Sequence, residues 1–335
     1  MTDIFSEQEL SNIETHYIPF PPYDRYPGHY LRASYNYSDL IRKKVEDLEA
    51  VDIIYAKGLT AWSLLKHRNG ANHPPICINV HGYEYFQKAP DLKSRLQQLM
   101  LRPAFSYVNE KADYIYSYGE PISKIIRERI KGAASKIIEI PSGVDDSMLG
   151  EYPTVVNSVR ELVFIGRFER RKGVHELNKA IRDLQGKFDF TFHFIGSIPD
   201  NMKLTFPNCI YHGTISDSNH IRQIVQKADI LVCPSYAEGM PNSIFEGMSC
   251  GCAIIASNVG AIPLQVRPEN GWLIPPGSVS HLSAAIVSAL TMSADELLSR
   301  KQASYVIIKK EFMWEKITDL TFASFENIIR GSHRD

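Results

Sequence analysis

A chain of 335 residues has room for two domains of about 150 residues each, and its 44% hydrophobic and 22% charged residues match a folded, enzyme-sized protein. The formal charge of −1, from 37 Lys and Arg against 38 Asp and Glu, excludes a general polyanion-binding surface, so nucleic acid is not an expected partner. No apolar stretch approaches the ~18 residues that cross a bilayer and the start MTDIFSEQEL is too polar for a signal peptide, so the expected location is the cytoplasm.

In chain order, the first half alternates short apolar runs with helical patterns. THYIP (residues 15–19) and DIIY (52–55) read as strands around the charged helix YSDLIRKKVEDLEA. Helix TAWSLLKH and strand PICINV follow, the latter ending just before His81. Strand DYIYS, helix PISKIIRERI and strand KIIEI then lead into PSGVD. Such βαβ alternation predicts a parallel sheet covered on both faces. Residues 146–160, aperiodic and holding Gly and Pro, read as a linker. The second half repeats the scheme: ELVFIG, helix VHELNKAIRDL, TFHFIG, CIYHG, helix SNHIRQIVQKA, ILVCPS, a short helix and strand AIIAS. Helices close the chain, the last with a stripe of Trp314, Ile317, Leu320, Phe322 and Phe325. The expected organisation is two Rossmann-like domains facing a cleft, over residues 1–150 and 151–312. A C-terminal helix over 313–335 is expected to pack on a domain surface, the first domain being one candidate. The five cysteines are odd in number and sit largely in apolar runs, which reads as reduced thiols; Cys250 and Cys252 have no second ligand pair nearby to make a metal site.

Two loops carry the candidate chemistry. The segment EGMPNSIFE joins strand ILVCPS to a helix and brackets its turn with Glu238 and Glu246. In a parallel sheet such a loop lies at the carboxyl edge, where helix-start N–H groups receive anions and carboxylates accept from hydroxyls. Gly239 permits close backbone approach, Pro241 pre-sets a helical φ, and Asn242 or Ser243 can cap the helix. The plainer alternative is a pair of glutamates favoured by the helix dipole, by about 0.3–1 kcal/mol, with no ligand. After strand ELVFIG come Arg167 and, five residues on, Lys172, at the start of another helix; this loop opens onto the same edge, and a diphosphate fits between the two. Crowded with Arg170 and Arg171, it can equally be read as a solvated basic turn.

GRFERRKGVHEL, EGMPNSIFEGMSCGCAIIASNVGAIP, NGWLIPPGS and FMWEKI, in that order, resemble the signature blocks of the family 4 glycosyltransferases of the GT-B fold, the glycosyl transferases group 1. PSGVD (141–145) and HGYE (81–84) resemble further blocks. The resemblance implies a retaining transferase acting on a nucleotide-diphosphate sugar, UDP-linked by expectation. It places Arg167 and Lys172 on the donor diphosphate and Glu246 on the ribose. Glu238 falls on the donor sugar or beside the reacting carbon. Gly239, Met240, Pro241, Asn242 and Ser243 line the phosphates or sugar. His81 faces them across the cleft as a catalytic residue, and His212 lies beside the base through its backbone. The chain holds no Asp-x-Asp triad, so no metal or other cofactor is expected, Arg and Lys taking the metal's place.

Two departures from the family stand out. Only about a dozen residues precede THYIP, so one βαβ unit of ~40 residues, with the glycine-rich loop that approaches the donor phosphates, is expected to be missing. Leu264 stands where the family commonly has Glu. The first departure motivates an alternative, a nucleotide-sugar-binding protein with impaired or no transfer; an epimerase or phosphorylase of the same fold is a further one. The expected acceptor is a glycan or glycolipid of surface polysaccharide synthesis. Residues 86–137 hold ten Lys or Arg against five Asp or Glu, which offers peripheral contact with an anionic membrane, or simply the solvated outside of sheet-covering helices.

Overall fold

The computed structural model of the chain describes residues 11–22, 26, 28–68 and 73–332, in which two parallel sheets flank a cleft. The first sheet has strands β1 (Ile54–Lys57), β2 (Ile76–Asn79), β3 (Tyr114–Ser117) and β4 (Ile137–Glu139), side by side in sequence order. Parallel neighbours need crossover connections, and helices supply them. Helix α1 (His29–Glu46) precedes β1, and α2 (Trp62–Lys66), α3 (Leu92–Lys111) and α4 (Glu120–Arg129) link the strands. Residues 15–19 are not a strand; they lie exposed, Tyr17 almost completely. The first strand also falls two residues later than DIIY. Pro74 and Pro75 have no N–H to donate, so the ladder starts at Ile76, whose partner is Ile54.

The second sheet contains β5 (Arg160–Ile165), β6 (Phe190–Ile195), β7 (Cys209–Gly213), β8 (Ile230–Cys233), β9 (Ala253–Ser257) and β10 (Gly271–Ile274), in the order β10-β9-β8-β5-β6-β7. The winding reverses between β5 and β8, and that reversal opens a crevice at the carboxyl ends of these two strands. Both faces are apolar. Leu162 and Phe164 point into one core layer with residues of α5 (Val174–Leu184) and α9 (Val279–Thr291), whereas Val163 points into the other with Ile244 and Phe245 of α7 (Asn242–Ser249). The first sheet, in simple sequential order, has no such reversal.

The segment 146–160 is held by hydrogen bonds and not by an apolar stripe, which is why its sequence shows no period. Gly150 N–H donates to Ser249 O at 2.9 Å, and Asn157 Nδ2 donates to Lys227 O and Asp229 Oδ2 at 2.8 and 2.9 Å. Asp229, fully buried, also receives Lys301 Nζ at 2.8 Å from α10 (Ala294–Glu311). Beyond α10 the chain returns to the first domain: Val144 N–H donates to Phe312 O and Trp314 N–H to Val144 O. Helix α11 (Trp314–Ser332) then covers one face of the first sheet, with Ile317 and Ile328 against Cys77, Tyr116 and Ile140.

The Lys301–Asp229 pair generates a stability prediction. Asp229→Ala strands an ammonium in the core and should lower unfolding free energy by about 3–5 kcal/mol in urea titrations. The double variant Asp229→Asn with Lys301→Met, which keeps an acceptor for the Asn157 and Glu161 donors, should recover most of that loss; a double variant no more stable than Asp229→Ala refutes the stranded-charge account.

Candidate functional site

The cleft between the domains, about 940 Å³, is of a size that takes a drug- to nucleotide-sized ligand. Its second-domain wall is built at the reversal between β5 and β8. Residues 170–172 form a single 3-10 turn ending at Gly173, whose φ of 73° starts α5. A side chain there would meet Pro234 O at 2.1 Å, so the two loops lie backbone against backbone. Only glycine satisfies both demands. The close approach brings Lys172 Nζ to 2.6 Å from Glu238 Oε1 and Arg171 Nη1 to 3.3 Å from Glu238 Oε2. Glu238 is only 5% exposed, so these charge-assisted bonds are what keep a carboxylate tolerable in that position.

Glu246, on the first turns of α7, is the less satisfied of the pair. Its Oε2 is buried without a hydrogen-bond partner, and burial pushes its carboxyl pKa up, opposed by the charge of Lys172. Lys172 thus serves two carboxylates and bonds only one. The helix start between them differs from expectation: Pro241 occupies the capping position in an extended conformation, and neither Asn242 nor Ser243 caps the helix with its side chain. Pro241 has no hydrogen-bonding side chain, so the helix start is left without a side-chain cap, on the wall lined by Gly239, Met240, Pro241, Asn242 and Ser243.

Arg167 lines the same cleft, but its guanidinium is 79% exposed and pairs with Glu169 at 2.9 Å. Arg171, folded into the crowded basic run in sequence, is the residue that joins Lys172 on Glu238. Arg170 points elsewhere, forked on Glu176 at 2.8 and 2.9 Å and stacked on Tyr236. Nothing in the run RRK separates these roles; the 3-10 turn does, by sending successive side chains in different directions.

On the facing wall His81 follows β2, its Nδ1 2.6 Å from the Tyr118 hydroxyl. Partial burial and the nearby Lys57 charge push its pKa down, favouring the neutral ring. The adjoining Gly82 and Gly239 bring the domains into backbone contact, since a side chain on Gly239 would lie 1.9 Å from His81 O. Gln87 ties this contact. Its Nε2 donates to Gly82 O and, at 2.6 Å, to Glu238 O, while Glu238 N–H donates back to its Oε1 at 3.4 Å. Leu264 packs toward Gly119 of the first domain, an apolar contact where a carboxylate is common in the family. His212 is not brought to the cleft lining: on edge strand β7 it stacks on His193, with Nε2 3.0 Å from His193 Nδ1. Among the described residues no group of three or more His, Cys, Asp and Glu is arranged to hold a metal ion.

Two parallel-sheet domains whose carboxyl edges face each other, with cations and carboxylates at a strand-order reversal, define the GT-B class of sugar-transferring enzymes. Residues 159–292 match the family model described as Glycosyl transferases group 1. An uncharacterized glycosyltransferase of Methanocaldococcus jannaschii, MJ1178, is 25% identical over 332 residues, which cover 94% of this chain and 85% of that protein. The putative teichuronic acid biosynthesis glycosyltransferase TuaC of Bacillus subtilis is 33% identical over 127 residues, covering 38% of this chain and 32% of TuaC. Among solved structures, sucrose-phosphate synthase from Thermosynechococcus elongatus aligns over 94% of this chain and 81% of its own, with TM-score 0.74 and 19% identity. Anabaena HepE in complex with UDP-glucose aligns over 87% and 82%, with TM-score 0.66 and 18% identity. Over residues 159–292 the chain is thus similar to the group 1 glycosyltransferases, and its fold as a whole is that of the GT-B structures.

The state of Glu246 sets a pH dependence. Because its folded pKa is raised, it contributes stability that is complete below the ordinary carboxylate range and is lost as pH rises through the raised value. Ionisation of Glu246 is therefore unfavourable in the folded, unliganded protein. Glu246→Gln is expected to raise the melting temperature of the unliganded protein at pH 7 and leave it unchanged near pH 4, as read by melts across that range. A variant that melts lower than wild type at pH 7 contradicts this.

Proposed function

We propose that the chain transfers a sugar from a nucleotide-diphosphate donor, UDP-linked, to a glycan or lipid-linked acceptor in polysaccharide synthesis, with retention of anomeric configuration and with no metal. The observation that carries the reading is Lys172, fixed between Glu238 and Glu246 at the strand-order reversal and opposite His81. A diphosphate entering there meets Arg167, Arg171 and Lys172 on one wall and the uncapped start of α7. As the diphosphate leaves, charge develops on its oxygens, and fixed cations stabilise it; losing one such contact typically costs about 10²–10³ in rate. The ribose hydroxyls donate to the unpartnered Glu246. The phosphates compete with Glu238 for its two cations, which frees a carboxylate oxygen for a hydroxyl of the donor sugar. His81, neutral and held by Tyr118, contacts the sugar from the facing wall. The UDP and polysaccharide components draw support from HepE, solved with UDP-glucose, and from the process for which TuaC is named.

A second reading, nucleotide-sugar binding without transfer, is favoured by one observation: the first sheet has no reversal and so offers no phosphate crevice of its own. Titration separates the possibilities. A nucleoside diphosphate at ~100 times its dissociation constant adds about 2.7 kcal/mol of stability, and the matching one should stand out in a thermal-shift panel. Lys172→Ala and Glu246→Ala should each lose that shift; retention in both sinks the donor site. Donor hydrolysis or transfer by the purified chain excludes the binding-only reading.

The membrane-facing part of the proposal narrows from residues 86–137 to the first turns of α3. Leu92, Leu96, Leu99 and Met100 are 70, 59, 48 and 43% exposed, spaced along one helical stripe, with Lys93 and Arg95 beside them. This stripe starts where the two domains meet, for Asp91 just before it is 4.0 Å from Arg170. An anionic membrane suits the combination of leucines and cations. Leu96→Glu with Leu99→Glu should abolish cosedimentation with anionic vesicles and leave nucleotide affinity intact. Equal sedimentation of wild type and variant removes the membrane from the proposal.

A further inference from the structure

The first-domain wall of the cleft carries a row of side chains that the donor does not need. Lys57, Asn79 and Tyr116 are register partners at the carboxyl ends of β1, β2 and β3, so they stand side by side on one face of the sheet, and all three line the cleft. Lys57 differs from the other cations there. Arg167 pairs with Glu169, and Arg171 and Lys172 pair with Glu238, whereas Lys57 has no ion-pair partner among the described residues. It is nonetheless close enough to His81 to act on its charge. Its neighbour Asn79 is 5% exposed, and Asn79 Oδ1 is buried without a hydrogen-bond partner.

Lys57 is exposed to the solvent of the cleft, and an accessible cation with no ion pair, beside an unsatisfied, almost fully buried carbonyl oxygen, leaves two groups open to a ligand. Each feature has a definite complement: the ammonium takes an anion, and the amide oxygen takes a donor such as a sugar hydroxyl. Aromatic rings flank them. Tyr55, backed edge to face by the buried Tyr116, and Trp314 of α11 are 39 and 45% exposed on the same wall, giving apolar faces on which a sugar ring can rest. The carboxylates of this wall are Glu84, which acts on Arg171 and His81, and Asp145, which accepts from Ser147 N–H, and neither forms an ion pair with Lys57.

We infer that Lys57 and Asn79 form an acceptor subsite for a sugar bearing an anionic group, Lys57 binding the carboxylate or phosphate and Asn79 Oδ1 accepting from a neighbouring hydroxyl. This rests on the transferase reading, in which the second-domain wall holds the donor and the facing wall the acceptor. The subsite adds a preference for charge: a neutral sugar leaves Lys57 unsatisfied, and an acidic one completes it. Hydrogen bonds to charged groups are among the stronger ones, so the preference should be about tenfold or more.

The test uses the full chain with UDP present, so that donor-site cations are already occupied, and measures binding of methyl glucoside, methyl glucuronide and methyl glucoside 6-phosphate by calorimetry. One or both acidic sugars should bind about tenfold or more tightly than methyl glucoside; which of the two does so tells a carboxylate from a phosphate requirement. Lys57→Gln should erase that preference and leave UDP affinity unchanged. Asn79→Asp, which keeps the size of the side chain and places an anion beside Lys57, should weaken the acidic sugars selectively. Equal binding of neutral and acidic sugars by wild type overturns the inference. So does a loss of UDP affinity in Lys57→Gln, which would assign Lys57 to the donor diphosphate. Both failures are distinct from failure of the donor site itself, which shows as an unchanged nucleotide titration in Lys172→Ala.

Discussion

The carboxylate of Glu238 is almost wholly removed from water, and the partners it finds there are Lys172 and Arg171, which reach it from a neighbouring loop. Burying an ion is costly unless partners and geometry are both supplied, so every element that fixes those two cations is a condition for the site. Gly173 lets the loops touch, the reversal between β5 and β8 puts them on the same edge, and the two core layers around the sheet hold the strands in register. The same ammonium leaves Glu246 half satisfied. A site preloaded with charge in this way stores its binding capacity as unfavourable electrostatics in the empty protein, to be relieved when a ligand with both anionic and hydroxyl groups arrives.

Much of this was legible in the sequence because parallel strands buried on both faces are near-continuous apolar runs. ILVC and AIIAS could hardly be anything else, and the loops after them had to emerge on one edge. The loop pair carrying Lys172 and Glu238 follows from that rule alone. What escaped is orientation within short irregular segments. Arg170, Arg171 and Lys172 are adjacent in sequence, yet Arg170 turns to Glu176 whereas Arg171 and Lys172 converge on Glu238. Pro241 took the capping position from Asn242, and His212 fell on an edge strand beside another histidine. THYIP has the composition of a strand, but no neighbouring strand pairs with it. The basic character of residues 86–137 was visible, whereas the exposed leucines of α3 were not, because an amphipathic helix reads the same whether its apolar stripe faces the core or the solvent.

The two domains contribute unequal sheets. The second has six strands wound both ways from its centre and holds the charges; the first has four in plain order and presents Lys57, Asn79, His81 and Tyr118 at its edge. Helix α11 makes the first sheet depend on the second half of the chain, since Ile317 and Ile328 supply one of its faces. Chain order and spatial order therefore disagree: the first domain is completed last, by residues that follow everything else. Trp314, at the crossing point, belongs at once to that cover and to the wall of the cleft.

The clasp made by Gln87 is uncharged. One amide holds the backbone of Gly82 in its own domain and both backbone groups of Glu238 in the other, with no ion among its three hydrogen bonds. Surface charges are screened over about 8–10 Å at ordinary ionic strength, and an exposed cation such as Arg167 is subject to that screening, whereas an amide clasp is not. The contact between the domains therefore has a part that salt leaves in place, the Gln87 clasp, beside a part that salt weakens, the ion pair of Asp91 with Arg170.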